Sequence, residues 1–212
     1  MIPLKPVRPP LKAIGRRNFL LLSATGLAGC GLVPDVNKPL TLYTVKPKLA
    51  VSEQPAKVSW QLVVAEPSAE RDIDTTRIAL SRTPNVIEYF ADGNWSDTAP
   101  KMVQAKLIEA FESTNAIVAV GRDAAGLRAD YVLQSDLRDF QADYTAKNGA
   151  ATAHIRLIAK LVQMPDRRIT RTVSAEASAP AGGKDLAAIV VAFEQALGQV
   201  LSKIVTGILA TS

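Results

Sequence analysis

The feature that most constrains the fold is an alternation of apolar and polar residues from Ala151 to Val162. In an extended chain this alternation places every second side chain on the same face, so one face of the strand is buried and the other is wet. The segment from Ile169 to Ala177 is predicted to return as the partner strand after a turn at Met164-Pro165-Asp166-Arg167. The two segments therefore predict a long hairpin that is solvated on one side.

Two amphipathic segments are predicted to form helices. A helix is expected to begin at Asp97-Thr98-Ala99-Pro100, because residues that cap a helix N-terminus are followed there by a proline suited to the first turn. A second helix is expected from about Asp185 to Leu209, after the pair Gly182-Gly183. Polar residues such as Glu194 interrupt its broad apolar stripe, which favours packing against a core over crossing a membrane.

The remaining segments complete an α+β pattern. A turn is predicted at Asp92-Gly93 and a bulge or bend before Phe140. Leu40 and Leu42 are expected near the core, with Tyr43 or Val45 as further candidates. The order of four strands, a helix, four strands and a helix predicts a two-layer sandwich, in which two main helices pack on one face of a largely antiparallel sheet. Extended segments are predicted at 39–45, 58–65, 73–80, 85–91, 116–120 and 131–140.

The first 29 residues have the pattern of an export signal. Five basic residues meet no acidic residue there, and a short apolar stretch from Phe19 to Leu27 follows them. That stretch is about half the roughly 20 residues that a permanent membrane helix needs. The pattern predicts a cleaved signal peptide over residues 1–29. The basic residues are Lys5, Arg8, Lys12, Arg16 and Arg17.

Leu27-Ala28-Gly29-Cys30 has the pattern of a bacterial lipobox. Small residues at positions 28 and 29 admit the backbone to the lipoprotein signal peptidase, and the thiol of Cys30 carries the diacylglyceryl thioether. The alternative is a lone buried cysteine after a chance apolar run. Because Cys30 is the only cysteine, a lipidated chain has no thiol left for a disulfide. We therefore predict a lipidated tether over residues 30–38 and a single periplasmic domain over residues 39–212.

Two neighbouring features concern the export route and the destination. Arg16-Arg17-Asn18-Phe19-Leu20 resembles the twin-arginine motif, which is read by a translocase for folded cargo, although Gly15 and Leu21 depart from the pattern. General secretion is the alternative route. Gly31 follows the cysteine, where inner-membrane retention usually requires an aspartate. The predicted location is the periplasmic side of the outer membrane, with the periplasmic leaflet of the inner membrane as the alternative.

Charge and motifs exclude several classes of function. Lys and Arg number 25 against 20 Asp and Glu, but the excess lies entirely in the predicted signal peptide, so no nucleic-acid partner is expected. Gly-x-Ser-x-Gly, a phosphate loop and His-Glu-x-x-His are all absent from the sequence. The single histidine, His154, falls on the polar side of its strand, which favours a solvated residue over a catalytic base or a metal ligand. We predict no catalytic residue, no metal, no cofactor and no enzymatic activity.

Three residues are candidates for contact with a partner or with lipid. Trp95 follows the predicted turn, which could leave it partly exposed, but the favoured interpretation is a rim residue of the core. Phe193 and Leu197 lie on the apolar C-terminal helix, for which packing against the core is the main interpretation and a lipid or partner contact the alternative.

Several segments together resemble the ABC-type transport auxiliary lipoprotein family, which includes the lipoprotein of the paraquat-inducible operon. The resemblance covers essentially the whole mature chain and implies an α+β fold and a non-enzymatic periplasmic role. It implies work beside an ATPase, a permease and a membrane-anchored protein with mammalian-cell-entry (MCE) domains, which move phospholipid or other hydrophobic substrates between the two membranes. It also allows a ring-like homo-oligomer. The segments are the lipobox, Tyr43-Thr44-Val45, 73–78, 87–91, Trp95 and 100–104.

Two other functions stay open at this point. The chain could be a periplasmic lipid- or ligand-binding lipoprotein that works alone, in which case natively purified protein would carry a stoichiometric lipid. It could also be an envelope hydrolase, in which case activity on ester or peptide substrates would be lost in a serine-to-alanine or His154→Ala variant.

Overall fold

A computed structural model describes residues 41–49, 55–122, 128–144 and 149–210. Contacts within the chain separate two units, Met1–Pro39 and Leu40–Ser212, and all of the described residues belong to the second unit. The predicted signal peptide, export motif, lipobox and tether lie outside the described residues, as does Cys30 itself.

The described residues form nine strands and two helices. The chain runs through five strands, a helix, four strands and a second helix, which is an α+β order. The strands are β1 (Leu42–Tyr43), β2 (Gln61–Val64), β3 (Ser68–Ala69), β4 (Arg77–Ser81), β5 (Glu88–Trp95), β6 (Ala119–Arg122), β7 (Tyr131–Asp143), β8 (Thr152–Gln163) and β9 (Arg168–Pro180). The helices are α1 (Ala99–Ser113) and α2 (Leu186–Leu209).

Strand β7 organises the sheet. Along one edge it pairs antiparallel with β8, and β9 extends the sheet in the same antiparallel manner. Along the other edge β2, β3 and β4 follow one another, each parallel to β7. Strand β6 continues the sheet beyond β2, while β5 and β1 continue it beyond β4. The sheet is therefore mixed and largely antiparallel, and the predicted fold class is confirmed.

The alternation that predicted the central hairpin is realised in β8. Ile155, Leu157 and Ala159 are fully buried, whereas Arg156 and Lys160, which point to the other face of the strand, are exposed. The predicted irregularity before Phe140 is confirmed as a register shift between residues 137 and 139 of β7. The shift lets residue 137 and residue 140 both face the core, although they are an odd number of positions apart.

Helix α2 begins after Asp185, as predicted, and packs against β8, β9 and α1. Its length and composition would suit a membrane span, and it is the one such helix among the described residues. However, 61% of its most apolar window is buried inside the domain. Because the apolar stripe already faces protein, the interpretation of α2 as a core helix holds.

Two local predictions were wrong. Strand β5 continues through Asp92-Gly93, and the β4–β5 hairpin turns earlier, within residues 82–87. Gly93 is needed for close packing rather than for a turn, because a Cβ there would lie 2.6 Å from Cε2 of Tyr43. Leu42 is 57% exposed, and Val45 is the buried apolar side chain of this region.

Candidate interaction surfaces

The three candidate contact residues lie in the core. Trp95 is 1% exposed, and Phe193 and Leu197 are fully buried. The rings of Trp95 and Phe193 meet edge to face with centroids 5.1 Å apart, and Phe140 lies 5.0 Å from Phe193. Trp95 is buried because strand β5 continues as far as residue 95, and this places the Trp95 ring against α2. The core role weighed for these residues agrees with their burial, so a contact surface has to be sought elsewhere.

His154 takes part in a polar cluster on the solvated side of β8. Its Nδ1 is 2.9 Å from Oγ of Ser178, and its Nε2 is 3.7 Å from a carboxylate oxygen of Asp139 and 3.7 Å from one of Glu176. Asp139 also accepts a 2.6 Å hydrogen bond from Nε of Arg156. Histidine, serine and carboxylate thus stand next to one another on three adjacent strands.

Acyl-transfer chemistry needs more than these residue types. A hydrolase places its nucleophile in a concave site with donors aimed at the developing oxyanion. The three cavities described below are lined by residues other than those of the His154 cluster. Within the described ranges, no group of three or more His, Cys, Asp or Glu residues could hold a metal ion.

Asp136 has a carboxylate whose ionised form is stabilised by its neighbours. Oγ of Ser68 donates a 2.8 Å hydrogen bond to it, and a guanidinium nitrogen of Arg138 is paired with it. The Ser68 hydrogen bond is the largest cause that holds the pKa of Asp136 below its ordinary value, with Arg138 adding to the effect and desolvation opposing it. The same hydrogen bond joins β3 to β7.

We expect Ser68→Ala to raise the pKa of Asp136 toward its ordinary value. Since the folded-state pKa is lowered, ionised Asp136 stabilises the fold above the unfolded pKa, and this contribution is lost as the pH falls through the folded pKa. Carboxyl titration by NMR measures the change. Ser174→Ala, at an exposed position of β9, is the control. An unchanged titration of Asp136 in Ser68→Ala would contradict the assignment.

The first described segment, residues 41–49, is fastened to α2, and we call it the entry segment. Tyr43 pairs with β5, and Val45 is fully buried. The backbone N–H of Lys46 donates a 2.8 Å hydrogen bond to Oε1 of Glu194. A Cβ at Gly198 would lie 2.4 Å from the carbonyl oxygen of Lys48, so the glycine leaves room for the segment to cross the helix. A pull on the preceding chain would therefore be transmitted to α2.

We call one end of the sheet the tip, which consists of the β8–β9 turn at 164–167 and the adjoining starts of β2, β6 and β7. Three cavities lie around it. One, of about 240 Å³, lies between Trp60, Tyr131 and the end of α2. A second, of about 120 Å³, lies between β2 and β6. A third, of about 340 Å³, lies under Met164 and Arg167. The last turn of α2 lines the first of these cavities, whereas the entry segment crosses the helix near Gly198.

Comparison with known proteins identifies the family. Residues 42–205 match the family model described as the ABC-type transport auxiliary lipoprotein component. The chain belongs to this family. The match spans every strand and nearly all of α2, so it covers the domain in which both the entry segment and the tip lie.

Two solved structures resemble this auxiliary lipoprotein. Protein XCC0632 from Xanthomonas campestris, assigned to family DUF330, is 36% identical with a TM-score of 0.74, covering 80% of this chain and 94% of that chain. A second crystal structure, of an uncharacterized protein, is 12% identical with a TM-score of 0.58, covering 78% and 99% of the two chains. The second likeness shows a shared fold only.

One sequence relative has a different length. Uncharacterized protein bll6063 from Bradyrhizobium diazoefficiens is 30% identical over 148 residues, which are 70% of this chain and 39% of the relative. The auxiliary lipoprotein thus spans about two fifths of that curated relative. The family is described as a lipoprotein component that is auxiliary to ABC-type transport.

Proposed function

We propose that this chain is a lipid-anchored periplasmic accessory subunit of an MCE-type ABC transport system, which moves phospholipid or another hydrophobic substrate between the inner and outer membranes. The observation that carries the proposal is the family match over residues 42–205. The lipobox ending in Cys30 and the compact domain after it agree with that role. The subunit contributes tethering and docking, while other components supply ATP hydrolysis and the permease path.

The anchor makes membrane attachment effectively permanent. Each buried methylene contributes about 0.8 kcal/mol, so one acyl chain binds only marginally, whereas the two or three chains of a mature bacterial lipoprotein do not detach. Gly31 in place of an aspartate favours the outer membrane as the destination. From there the domain would meet the periplasmic end of the MCE-domain protein, with the entry segment as its mechanical link to the anchor.

We expect Cys30→Ser to abolish both lipidation and processing. Without the thiol no thioether forms, so the unprocessed precursor accumulates and no acyl chain anchors the mature domain. Membrane fractionation with mass spectrometry of the N-terminus measures both effects. Gly31→Asp is the matched sorting variant and should stay lipidated but move to the inner membrane. A Cys30→Ser protein that is still processed and still pellets with membranes would end the proposal.

The transport role needs a separate test of the partner. Crosslinked membranes should yield the MCE-domain protein together with the lipidated wild-type chain, and the yield should fall in Cys30→Ser because the domain is no longer held at the membrane. Native mass spectrometry of the same preparation distinguishes the alternative. A stoichiometric bound lipid with no MCE-domain protein would favour a lipoprotein that binds lipid alone.

A further inference from the structure

We propose that the tip docks onto a phospholipid surface that carries anionic headgroups. The β8–β9 turn exposes two apolar side chains, Met164 at 36% and Ile169 at 54%. Exposed Asp166, Arg167 and Arg168 lie between them in the chain, so the turn carries a net positive charge. Apolar side chains that enter the headgroup layer beside cations that bind its phosphates are the chemistry of membrane-surface attachment.

The charges of the tip differ from those elsewhere in the sheet and its turns. There, Arg82 pairs with Glu88, Arg138 with Asp136, and Arg156 with Asp139. At the tip three arginines are exposed, and none forms an ion pair with a carboxylate among the residues that the structure describes. A guanidinium binds phosphate oxygens through paired hydrogen bonds, so these cations are suited to an external anion. The three are Arg128, Arg167 and Arg168, and Arg168 also donates a 2.8 Å hydrogen bond to Oε1 of Gln163.

The apolar part of the tip continues beneath the turn. The cavity of about 340 Å³ is lined by Val63, Val132 and Val162 together with Met164 and Arg167. Val63 and Val162 are 7% and 3% exposed, yet neither belongs to the main core cluster. The tip thus has an apolar layer of its own, separate from the core between sheet and helices. This apolar layer can contact the part of an acyl chain nearest the headgroup, while Arg167 remains at the depth of the headgroup phosphates.

The aromatic residues of the tip fit the same environment. The rings of Trp60 and Tyr131 lie 5.0 Å apart, and both are only partly buried, beside the cavity at the end of α2. Tryptophan and tyrosine favour the membrane–water interface because their rings combine an apolar body with a polar group. Aromatic rings, exposed aliphatic side chains and arginines that form no ion pair with a described carboxylate therefore share one end of the sheet.

A lipid surface suits these features better than an acidic protein does. A stable protein interface buries about 800 Å² on each partner around a packed apolar centre. The exposed apolar side chains here are few, and charged residues separate them on a tight turn in which Arg167 has a positive φ of 55°. A narrow turn of this kind can enter a headgroup layer but offers little area to a folded partner.

The test uses the mature chain, residues 30–212, with Cys30→Ser, so that neither an acyl chain nor the basic signal peptide contributes. An environment-sensitive NBD fluorophore is placed at the turn through Asp166→Cys, and in a separate protein at the opposite β4–β5 turn through Thr83→Cys. Each protein is titrated with phosphatidylcholine vesicles and with vesicles that also contain phosphatidylglycerol. We expect a several-fold rise in NBD emission for the label at residue 166, with phosphatidylglycerol present, and little change for the label at residue 83.

Two pairs of substitutions identify the groups responsible. Arg167→Asn with Arg168→Gln should weaken the apparent vesicle affinity about 25-fold, since each arginine near an anionic surface contributes about fivefold. Asparagine is chosen because it tolerates the left-handed backbone of residue 167. Met164→Ser with Ile169→Thr should reduce the NBD rise without removing the charge dependence. Arg71→Gln with Arg82→Gln changes the net charge equally, away from the tip, and should leave both measurements unchanged.

Three results would overturn the proposal. These are an equal response of the two labels, a response that does not need phosphatidylglycerol, and full binding by the Arg167→Asn, Arg168→Gln protein. A separate measurement of binding to polyglutamate, a soluble acidic polymer, distinguishes a lipid surface from an acidic protein. If the label at residue 166 does not respond to vesicles while the Arg167→Asn, Arg168→Gln protein loses binding to polyglutamate, the proposal is overturned and an acidic protein partner is favoured. Because Cys30 is replaced throughout, a negative result leaves the proposed lipid anchor and transport role untouched.

Discussion

Replacing Phe193 by alanine is expected to lower the free energy of unfolding by about 3–5 kcal/mol. The side chain is fully buried, and its ring contacts those of Trp95 and Phe140 with centroids 5.1 and 5.0 Å away. Alanine would remove the ring that joins α2 to β5 and β7, and the three elements could collapse only partly into the space. Urea unfolding of the mature protein measures the loss as a lower midpoint with an unchanged slope.

The control lies on the same helix. Val191 is 49% exposed, so Val191→Ala should change the free energy of unfolding by less than about 0.5 kcal/mol. Phe193→Leu keeps much of the apolar volume and should fall between the two. A loss below about 1 kcal/mol in Phe193→Ala would mean that the three rings do not form one packed cluster.

Gly198→Ala is expected to have the second large effect, by displacing the entry segment from α2. In a helix interior this substitution normally stabilises by about 0.5–1 kcal/mol. Here the new Cβ would lie 2.4 Å from the backbone oxygen of Lys48, so the segment has to move. Displacement would break the hydrogen bond from Lys46 to Glu194 and expose Val45, whose burial is worth about 1.5–3 kcal/mol. We expect a net destabilisation of about 1–2 kcal/mol.

Hydrogen exchange locates this second effect. The amide of Lys46 should lose protection in Gly198→Ala, while amides in the centre of β8 keep theirs. Gly182→Ala makes the same chemical change where no atom lies within 4 Å of the new Cβ, and it should leave the Lys46 amide as it was. A Gly198→Ala protein with a fully protected Lys46 amide would show that the entry segment does not depend on the space that Gly198 leaves beside Lys48.

Local periodicity predicted the elements whose side chains face a single environment. β8 and α2 each have one apolar side and one polar side, so their sequences give both the element and its buried face. The first-turn proline located the start of α1, although the N-cap Thr98 makes no side-chain capping hydrogen bond, and the change of alternation located the bulge in β7. In each case the information lies within a few residues of the element itself.

The failures have one physical origin, which is contact with distant residues. Gly93 follows Asp92 as in a common turn, yet it stays extended because Tyr43 and Leu186 pack against its bare backbone. The burial of Trp95 follows from the same continuation of β5. For the candidate site, the lipobox could be recognised from adjacent residues, whereas the tip could not, because it combines side chains from four strands and a turn.

The placement of β2, β3 and β4 along one edge of β7 has a consequence for biosynthesis. Gln61 and Asp130, which hydrogen bond where β2 meets β7, are 69 residues apart in the chain. A nascent chain therefore cannot complete this half of the sheet until residue 143 has left the ribosome, and contacts of such long separation form slowly. A translocase for folded cargo would let these pairings form in the cytosol, whereas a threaded chain would have to assemble all of them after crossing the membrane, with its strand edges unprotected in the meantime.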